Sequence, residues 1–297
     1  MNALITGGAS GLGLGCALRL GRLGFAVTIA DVDAAAGRQA LASLQACAPQ
    51  ARFEQVDLAD PESIRALAAR LLARGQPINV LVNNAGIYPP SQRTLSAEGR
   101  ELSFAIAHLG HFRLTHALWP LLAKAGAARV VSVSSLVQRR AQMDLDDLDL
   151  ARNYQPIRAY GQAKLACLLF ALELQRRLLA AGSAITSYAA HPGVCRTQLG
   201  RHRRLSPGDS PWQRFSSWML ANGIGHFGQA PENGAASLVD AAVGLRFPPG
   251  SFIGPTGALE AFGKPGLIAP GPAASDPLMA TGLWRRTESL TGIRWTP

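Results

Sequence analysis

Cysteine is scarce in this sequence, and the four that are present follow no pattern of structural use. Cys16, Cys47, Cys167 and Cys195 form no CxxC pair and have no metal-ligand spacing to a histidine. Zinc sites and disulfide frameworks both require cysteines at defined spacings, so neither is expected. We therefore expect four reduced thiols, no bound metal and a cytoplasmic protein.

Long apolar runs and lysine are scarce as well. No stretch reaches the roughly 18 uninterrupted apolar residues of a membrane span, and no basic region precedes the first strand-like run at Asn2. A signal peptide and a membrane partner are therefore not expected. The net charge of +10 comes mostly from arginine, since Lys124, Lys164 and Lys264 are the only lysines, and it is spread along the chain. Proteins that bind nucleic acid cluster their basic residues, so no nucleic-acid partner is expected.

What the chain does contain is a regular alternation of short apolar runs and helix-length segments. Between residues 3 and 190 the runs are ALIT, FAVTIAD, RFEQVDL, INVLVNNAG, RVVSVSS and AITSYAAHPG. Parallel strands need a long crossover between them, usually a helix. The pattern predicts an α/β fold: a doubly wound parallel sheet of the Rossmann type with helices on both faces. Two of the helices, at about 97–124 and 157–181, are predicted to be long.

The amino-acid composition changes after Leu199, where a stretch rich in glycine, proline and tryptophan begins. Beyond it the sequence predicts a helix from about Glu232 to Val243, a strand at SFIGP, a loop from 263 to 275 and a last helix near 277–290. No linker or repeat divides the chain, and α/β domains often run this long. We predict a single domain over 1–297, with a core in 1–199, a variable segment in 200–230, and C-terminal helices with the last strand in 231–297.

The segment TGGASGLG, residues 6–13, follows the first strand-like run and begins a helix. Glycines in such a turn let main-chain N–H groups and the helix N-terminus approach a pyrophosphate, which predicts dinucleotide binding. The spacing of Gly7, Gly11 and Gly13 differs from GxGxxG, and a purely structural turn would use the same residue type.

Asp31 bears on which dinucleotide is bound. It ends the second strand-like run, 20 residues after Gly11, and no basic residue directly follows it. A carboxylate at this point accepts hydrogen bonds from the adenosine ribose hydroxyls and repels a 2′-phosphate. NAD is therefore predicted as the cofactor rather than NADP. In the alternative interpretation Asp31 only caps the next helix, for which Asp33 is better placed.

Tyr160 and Lys164 stand four residues apart in YGQAK, on a predicted helix. This spacing puts both side chains on one face. A free phenol has a pKa of about 10, and a fixed ammonium within about 5 Å lowers it by about one to three units. Tyr160 is thus a candidate proton carrier whose pKa Lys164 would lower. The same spacing also arises by chance on surface helices.

Five motifs occur in a fixed order: TGGASGLG, NNAG at 83–86, Ser135 at the end of RVVSVSS, YGQAK at 160–164 and HPGVCRT at 191–197. In this order and at these separations they resemble the short-chain dehydrogenases/reductases, from Asn2 to about Leu199. The step of 25 residues from Ser135 to Tyr160, HLGHF at 108–112, HPGVCRTQL, and LW with SLTG in the last helix resemble the retinol-dehydrogenase-type branch. The resemblance implies an NAD-dependent oxidoreductase that interconverts an alcohol and a carbonyl compound.

The resemblance also implies roles for individual residues. Ser135 would hydrogen-bond the substrate oxygen, with Ser134 as the alternative serine. Tyr160 would exchange the proton, and Lys164 would hold the nicotinamide ribose and tune Tyr160. The cofactor-binding residues that the resemblance implies are Thr6, Gly7, Ser10, Gly11, Leu12, Gly13, Asp31, Asp57, Leu58, Asn83, Ala85, Gly86, Tyr160, Lys164, Pro192, Gly193, Val194 and Thr197. Of these, the resemblance places Pro192, Gly193 and Thr197 at the nicotinamide end.

One position departs from the family pattern. The family usually carries Asn immediately before the HLGHF-like stretch, where this chain has Ala107. In the family that Asn stabilises a helix irregularity, whose free carbonyl holds a water leading from the lysine to solvent. A weakened proton relay is therefore expected. His108 and His111 are candidates to substitute for the Asn, and the alternative is that they line a helix interface.

The variable segment is expected to form a substrate lid. Trp212, Phe215 and Trp218 make an apolar stripe at helical spacing, although such a stripe also serves to pack a helix on the core. Tyr88, just past NNAG, is expected on the opposite wall. These residues predict a lipophilic alcohol or ketone as the substrate.

Two other functions fit the same sequence. One is a reductase of C=C or C=N bonds in a biosynthetic pathway, which Ala107 weakly favours. The other is a dinucleotide-sensing protein with little turnover. For the assembly, the resemblance implies a homodimer or homotetramer that pairs through the two long helices.

Overall fold

The computed structural model describes residues 1–195 and 228–297, and in these ranges eight strands form one sheet. The strands are β1 (Asn2–Thr6), β2 (Ala26–Asp31), β3 (Arg52–Gln55), β4 (Val80–Asn83), β5 (Arg129–Val133), β6 (Thr186–Ala190), β7 (Phe252–Pro255) and β8 (Pro265–Leu267). Their order across the sheet is β3-β2-β1-β4-β5-β6-β7-β8. Every neighbouring pair is parallel except β7 and β8, which are antiparallel.

Helices cover both faces of the sheet. They are α1 (Gly11–Arg22), α2 (Ala34–Gln45), α3 (Pro61–Arg74), α4 (Leu102–Phe104), α5 (His111–Ala117), α6 (Trp119–Lys124), α7 (Pro156–Ala180), α8 (Pro231–Val243) and α9 (Pro277–Thr291). Apolar side chains of α1, α2 and α8 pack on one face, and those of α3, α5, α6, α7 and α9 pack on the other. This confirms the predicted doubly wound Rossmann-type fold. None of the helices in the two described ranges is long and apolar enough to cross a bilayer.

The sheet reverses its strand order at β1, which pairs with β2 on one side and β4 on the other. In open α/β sheets, ligands bind beyond the carboxyl ends of the strands at such a point. The glycine loop follows β1 there, and NNAG begins at the last residue of β4, Asn83. Ser135 lies one strand further along the same edge, two residues after the end of β5.

Two elements differ from the sequence prediction. The helix predicted over 97–124 begins only at Leu102, where Glu101 accepts hydrogen bonds from the first N–H groups, and a π-helical turn over Ala105–Gly110 interrupts it. In that turn a Cβ on Gly110 would lie 2.4 Å from the Leu58 carbonyl oxygen, so only glycine permits the approach. The loop predicted over 263–275 contains β8, an edge strand of the kind that tolerates its proline.

Candidate active site

The glycine loop adopts the conformation that a pyrophosphate site needs. Gly7 and Gly11 have φ of 64° and 51°, in the left-handed region that favours glycine. A Cβ on Gly13 would lie 2.1 Å from the Gly7 carbonyl oxygen. Ser10 precedes α1 without making a side-chain cap, which leaves the first N–H groups of the helix available to an anion. Leu12 is buried in the first turn of α1.

The hydroxyl of Thr6 joins the glycine loop to NNAG. It accepts hydrogen bonds from the main-chain N–H groups of Asn84 and Ala85 at 2.9 and 3.0 Å. The Asn84 side chain donates to the Thr6 carbonyl at 2.8 Å. The Asn83 side chain instead donates to Thr115 of α5 at 3.0 Å, on the buried side. Asn84, which the sequence analysis did not single out, is therefore the asparagine that fixes the two loops together.

His111 extends this network to the π-helical turn. Its Nδ1 lies 2.8 Å from the Ala107 carbonyl oxygen, which can only accept, so Nδ1 carries the proton. Nε2 then accepts from the Thr6 hydroxyl at 2.8 Å. Burial, with a contribution from Lys164, lowers the pKa of His111 to about 4, so the imidazole is neutral at neutral pH.

Asp31 ties the end of β2 to the glycine loop. One carboxylate oxygen accepts from the Ala9 N–H at 3.0 Å and the other from the Asp33 N–H at 3.2 Å. Asp33 is the residue that caps α2, since it accepts from two N–H groups of the first turn. Further along the same edge, Asp57 accepts from the Ala59 N–H at 2.8 Å, and Leu58 is buried.

Ser135 and Tyr160 come together at the same edge, where the interaction with the Ser135 side chain acts to lower the pKa of Tyr160. The ring of Tyr88 lies 5.3 Å from the ring of Tyr160, at an angle of 41°. Ser134 is buried, and its hydroxyl donates to the main-chain carbonyl of Lys164 at 2.7 Å. The second serine of the pair is therefore the one placed against the tyrosine.

The ionisation of Tyr160 differs from the sequence expectation. Burial raises the pKa of Tyr160 to about 12, and the interaction with the Ser135 side chain offsets this only in part. Lys164, which was expected to lower it, donates to the Val133 carbonyl at 3.0 Å, and burial lowers its own pKa. Its ammonium lies close to Gly86, where a Cβ would stand 3.3 Å away. Desolvation is thus the largest influence on the pKa of Tyr160.

The π-helical turn forms although Ala107 replaces the family's Asn. The Ala107 carbonyl oxygen accepts from His111 and, at 3.2 Å, from the Cys167 thiol. His108 points elsewhere, with Nε2 2.7 Å from the Thr287 hydroxyl of α9. Of the two candidate histidines, His108 lines a helix interface, and His111 holds the carbonyl of the irregular turn.

The loop after β6 begins next to Ser135, because the N–H of the preceding residue, Ser134, donates to the last residue of β6. Gly193 has a φ of 71°, and a Cβ there would lie 2.3 Å from the Ala261 carbonyl oxygen. Val194 donates its N–H to the same oxygen at 2.9 Å. The Pro192 carbonyl accepts from the Gln229 side chain at 2.6 Å.

Sequence reasoning missed Ala261 and Gln229, because they are distant in the chain and carry no local signal. Four other predicted site residues, Thr197, Trp212, Phe215 and Trp218, lie outside the described residues.

Comparisons with known proteins agree with this geometry. The sequence profile of the short chain dehydrogenases matches residues 1–207. Mouse polyprenol dehydrogenase is 38% identical over 251 residues, which cover 81% of this chain and 70% of the relative. Human retinol dehydrogenase 13 is 33% identical over 304 residues, with 98% and 84% covered. A crystal structure of an uncharacterised protein from Mycobacterium paratuberculosis superposes with a TM-score of 0.79 at 34% identity, covering 100% of this chain and 94% of that one.

Two thirds of the chain thus match the family profile, and relatives at more than 30% identity span nearly all of it. The chain belongs to the short chain dehydrogenase family, in its retinol-dehydrogenase-type branch, a family of oxidoreductases that bind a nicotinamide dinucleotide and act on alcohols and carbonyl compounds.

Proposed function

We propose that the chain is an NAD-dependent oxidoreductase that interconverts a lipophilic alcohol and the corresponding carbonyl compound. The observation that carries this proposal is the placement of Ser135 against Tyr160 at the carboxyl edge of the sheet. The pair stands beside the loop that follows β6 and under the ring of Tyr88. Two hydroxyl groups held together next to an aromatic surface suit the binding of a substrate oxygen on an apolar carbon skeleton.

The glycine loop fits a dinucleotide. Within residues 1–195 and 228–297, no atom beyond the neighbouring backbone lies within 4 Å of the place where a Cβ of Gly11 would stand, so the left-handed turn is open to them on that side. The uncapped N–H groups of α1 behind Ser10 would hold the pyrophosphate. The Asp31 carboxylate borders this loop through Ala9, and its charge supports NAD over a cofactor with a 2′-phosphate. When bound, NAD supplies the group that accepts or donates the hydride.

The chemistry of the chain's own residues is acid–base and electrostatic. Ser135 donates a hydrogen bond to the substrate oxygen, and Tyr160 gives up or takes the proton there, which contributes about 10² to 10⁴ in rate for such groups. The raised pKa of Tyr160 keeps the phenol protonated at neutral pH, which suits donation to a carbonyl oxygen. In the reverse direction the charge of Lys164, held against Gly86 and Val133, favours the phenolate.

The proposal that the substrate is lipophilic is supported by the relatives and by one aromatic contact. Two relatives are named for polyprenol and retinol, both apolar alcohols with long carbon skeletons. In this chain Tyr88 packs on Tyr160 and would line the side of the pocket nearest the reacting oxygen. An apolar body would bury its surface against this ring.

The test is turnover with two cofactors and three substrates. The purified protein is incubated with NAD or NADP and with retinol, a polyprenol or a short secondary alcohol, and the appearance of reduced cofactor is followed by absorbance. We expect turnover with NAD and an apolar alcohol that exceeds turnover with NADP and with the short alcohol. Cofactor binding without turnover of any alcohol or carbonyl compound would favour the sensing function. Reduction confined to C=C or C=N bonds would favour the reductase alternative.

A further inference from the structure

A cluster of three polar side chains lies behind the loop that follows β6, and the proposed mechanism does not use it. Glu260 comes from the loop between β7 and β8, His191 from the end of β6, and Arg139 from the short helix after Ser135. Arg139 pairs with one oxygen of the Glu260 carboxylate. The other oxygen faces His191 Nε2 at 3.8 Å, and within the described ranges neither of these two atoms has a hydrogen-bond partner.

The hydrogen bonding of His191 fixes which of its nitrogens carries the proton. Nδ1 accepts the Gly193 N–H at 3.2 Å, so the neutral imidazole carries its hydrogen on Nε2, the atom that faces Glu260. Burial, with the charge of Arg139, lowers the pKa of His191 to about 4, so the ring is neutral at neutral pH. A small side-chain movement turns the facing pair into a hydrogen bond with Nε2–H as donor and the carboxylate as acceptor.

The backbone around this pair is shaped to bring the two groups together. Leu259 and Glu260 have φ of 52° and 55°, two successive non-glycine residues in the left-handed region, which is unfavourable for residues with a Cβ. A Cβ on Gly254 would lie 2.0 Å from His191 Nε2, so only glycine on β7 leaves room for the ring. Such strain persists where the surroundings hold it, and it marks positions with a role.

We propose that Glu260 is a positioning residue that acts through His191 on the main chain of Pro192, Gly193 and Val194. The carboxylate orients the imidazole, and the imidazole holds the Gly193 N–H. Ala261, the next residue, holds the Val194 N–H. This inference rests on the proposed function and, within it, on the assignment of Pro192 and Gly193 to the nicotinamide end of the dinucleotide. Arg139 ties the same carboxylate to the segment that begins at Ser135.

The test compares binding of NADH with binding of ADP-ribose, which shares the adenosine and pyrophosphate but lacks the nicotinamide. For Glu260→Ala we expect the Kd for NADH to rise about tenfold while the Kd for ADP-ribose stays within about twofold, because only one end of the cleft loses its support. Glu260→Gln retains an acceptor for Nε2–H and is expected to stay within about threefold for NADH. Glu260→Asp keeps the charge, but its shorter side chain holds the carboxylate further from His191. Its Kd values for NADH and ADP-ribose should therefore resemble those of Glu260→Ala.

Glu173→Gln is the matched control. Like Glu260, Glu173 on α7 is a glutamate paired with arginine, and among the described residues it makes no hydrogen bond to the loop after β6. We expect this variant to lower the melting temperature and to leave both Kd values unchanged.

Three outcomes would overturn the proposal. The first is a Glu260→Ala variant that binds NADH and ADP-ribose with equally weakened affinity. The second is a Glu260→Ala variant that binds both as tightly as the wild type does. The third is a Glu260→Gln variant as impaired as Glu260→Ala, which would leave only the ion pair with Arg139. Should Glu260→Ala not fold, Glu260→Asp and Glu260→Gln decide the matter. A wild-type protein that binds neither NADH nor NADPH contradicts the proposed function instead.

Discussion

The two halves of the proposed dinucleotide cleft are held together by different kinds of contact. On the pyrophosphate side the loops meet through main-chain groups and the neutral side chains of Thr6 and Asn84. On the nicotinamide side, ionisable groups meet partners from other elements of the fold: Tyr160 lies against Ser135, and His191 faces Glu260. The shape of the pyrophosphate half therefore depends on the close approach of main chain. The shape of the nicotinamide half depends on the protonation and pairing of polar atoms.

This difference predicts how each half fails. A half that depends on close main-chain approach tolerates no added volume, because interiors are close-packed and the backbone itself must move. A half that depends on buried polar groups tolerates changes of volume better, but it is sensitive to the loss of one hydrogen-bonding atom.

The largest effect is expected on the nicotinamide side, from Tyr160→Phe. The variant removes the hydroxyl that Ser135 contacts and keeps the ring that packs on Tyr88. We expect kcat to fall by about 10² to 10⁴ while the Kd for NADH stays near that of the wild type. Tyr188→Phe, on β6 beneath the Arg129 guanidinium, is the control and should keep its turnover. Near-normal turnover of Tyr160→Phe would assign the proton transfer to another group.

On the pyrophosphate side the largest effect is expected from Gly13→Ala. The new Cβ would stand 2.1 Å from the Gly7 carbonyl oxygen and 2.6 Å from the Asn84 side chain, so the loop must move. Overpacking of this kind costs about 1 to 3 kcal/mol, which corresponds to a Kd for NADH about five to 150 times higher. Gly21→Ala, near the other end of α1, should lower only the melting temperature. Unchanged NADH binding in Gly13→Ala would mean that the pyrophosphate lies elsewhere.

The same contrast explains how much the sequence revealed. The order of strands and helices, the glycine loop and the Tyr160–Lys164 pair were predictable, because each is a local pattern within one βα unit or one helix. The pKa of Tyr160 was mispredicted, since its burial depends on how α7 packs on the sheet. Glu260 and Gln229 could not be found at all, because only the fold brings them to the loop after β6.

Acid should destabilise both halves through buried histidines. Burial lowers the pKa of His111 and of His191 to about 4 and that of His108 to about 3. An unfolded histidine titrates near about 6.5, so between there and about pH 4 the unfolded chain binds more protons, and the free energy of unfolding falls as the pH falls. We expect the melting temperature to drop steadily across this window, and less steeply in His111→Gln and His191→Gln. A melting temperature that is flat in the same window would contradict burial of neutral histidines.

A smaller effect is expected from Asp31→Ala. The carboxylate should favour NAD by accepting hydrogen bonds from the ribose hydroxyls and repelling a 2′-phosphate. Its loss should therefore reduce the ratio of the Kd for NADP to the Kd for NAD by about tenfold or less. Melting curves at equal cofactor concentrations report this, because a bound ligand raises stability in proportion to its affinity. A larger upward shift with NADP than with NAD in the wild type would reverse the predicted preference. The Ala9 N–H also loses its partner in this variant, so the melting temperature without cofactor is the necessary reference.

The smallest effect is expected where the two halves touch, at the Ala107 carbonyl. This oxygen accepts from His111 of the pyrophosphate network and from Cys167, which stands one turn after Lys164. If an occupied carbonyl slows proton delivery, Cys167→Ala, which frees one lone pair, should raise kcat about two- to threefold and reduce the solvent isotope effect, with little change in the KM for NAD. Ala107→Asn restores the family side chain but adds volume beside Ala163 and Cys167, so it should lower the melting temperature more than Cys167→Ala does. If both variants fold, bind NAD normally and turn over no faster, and the wild type has no isotope effect, then the proton leaves Lys164 by a route that does not pass this carbonyl.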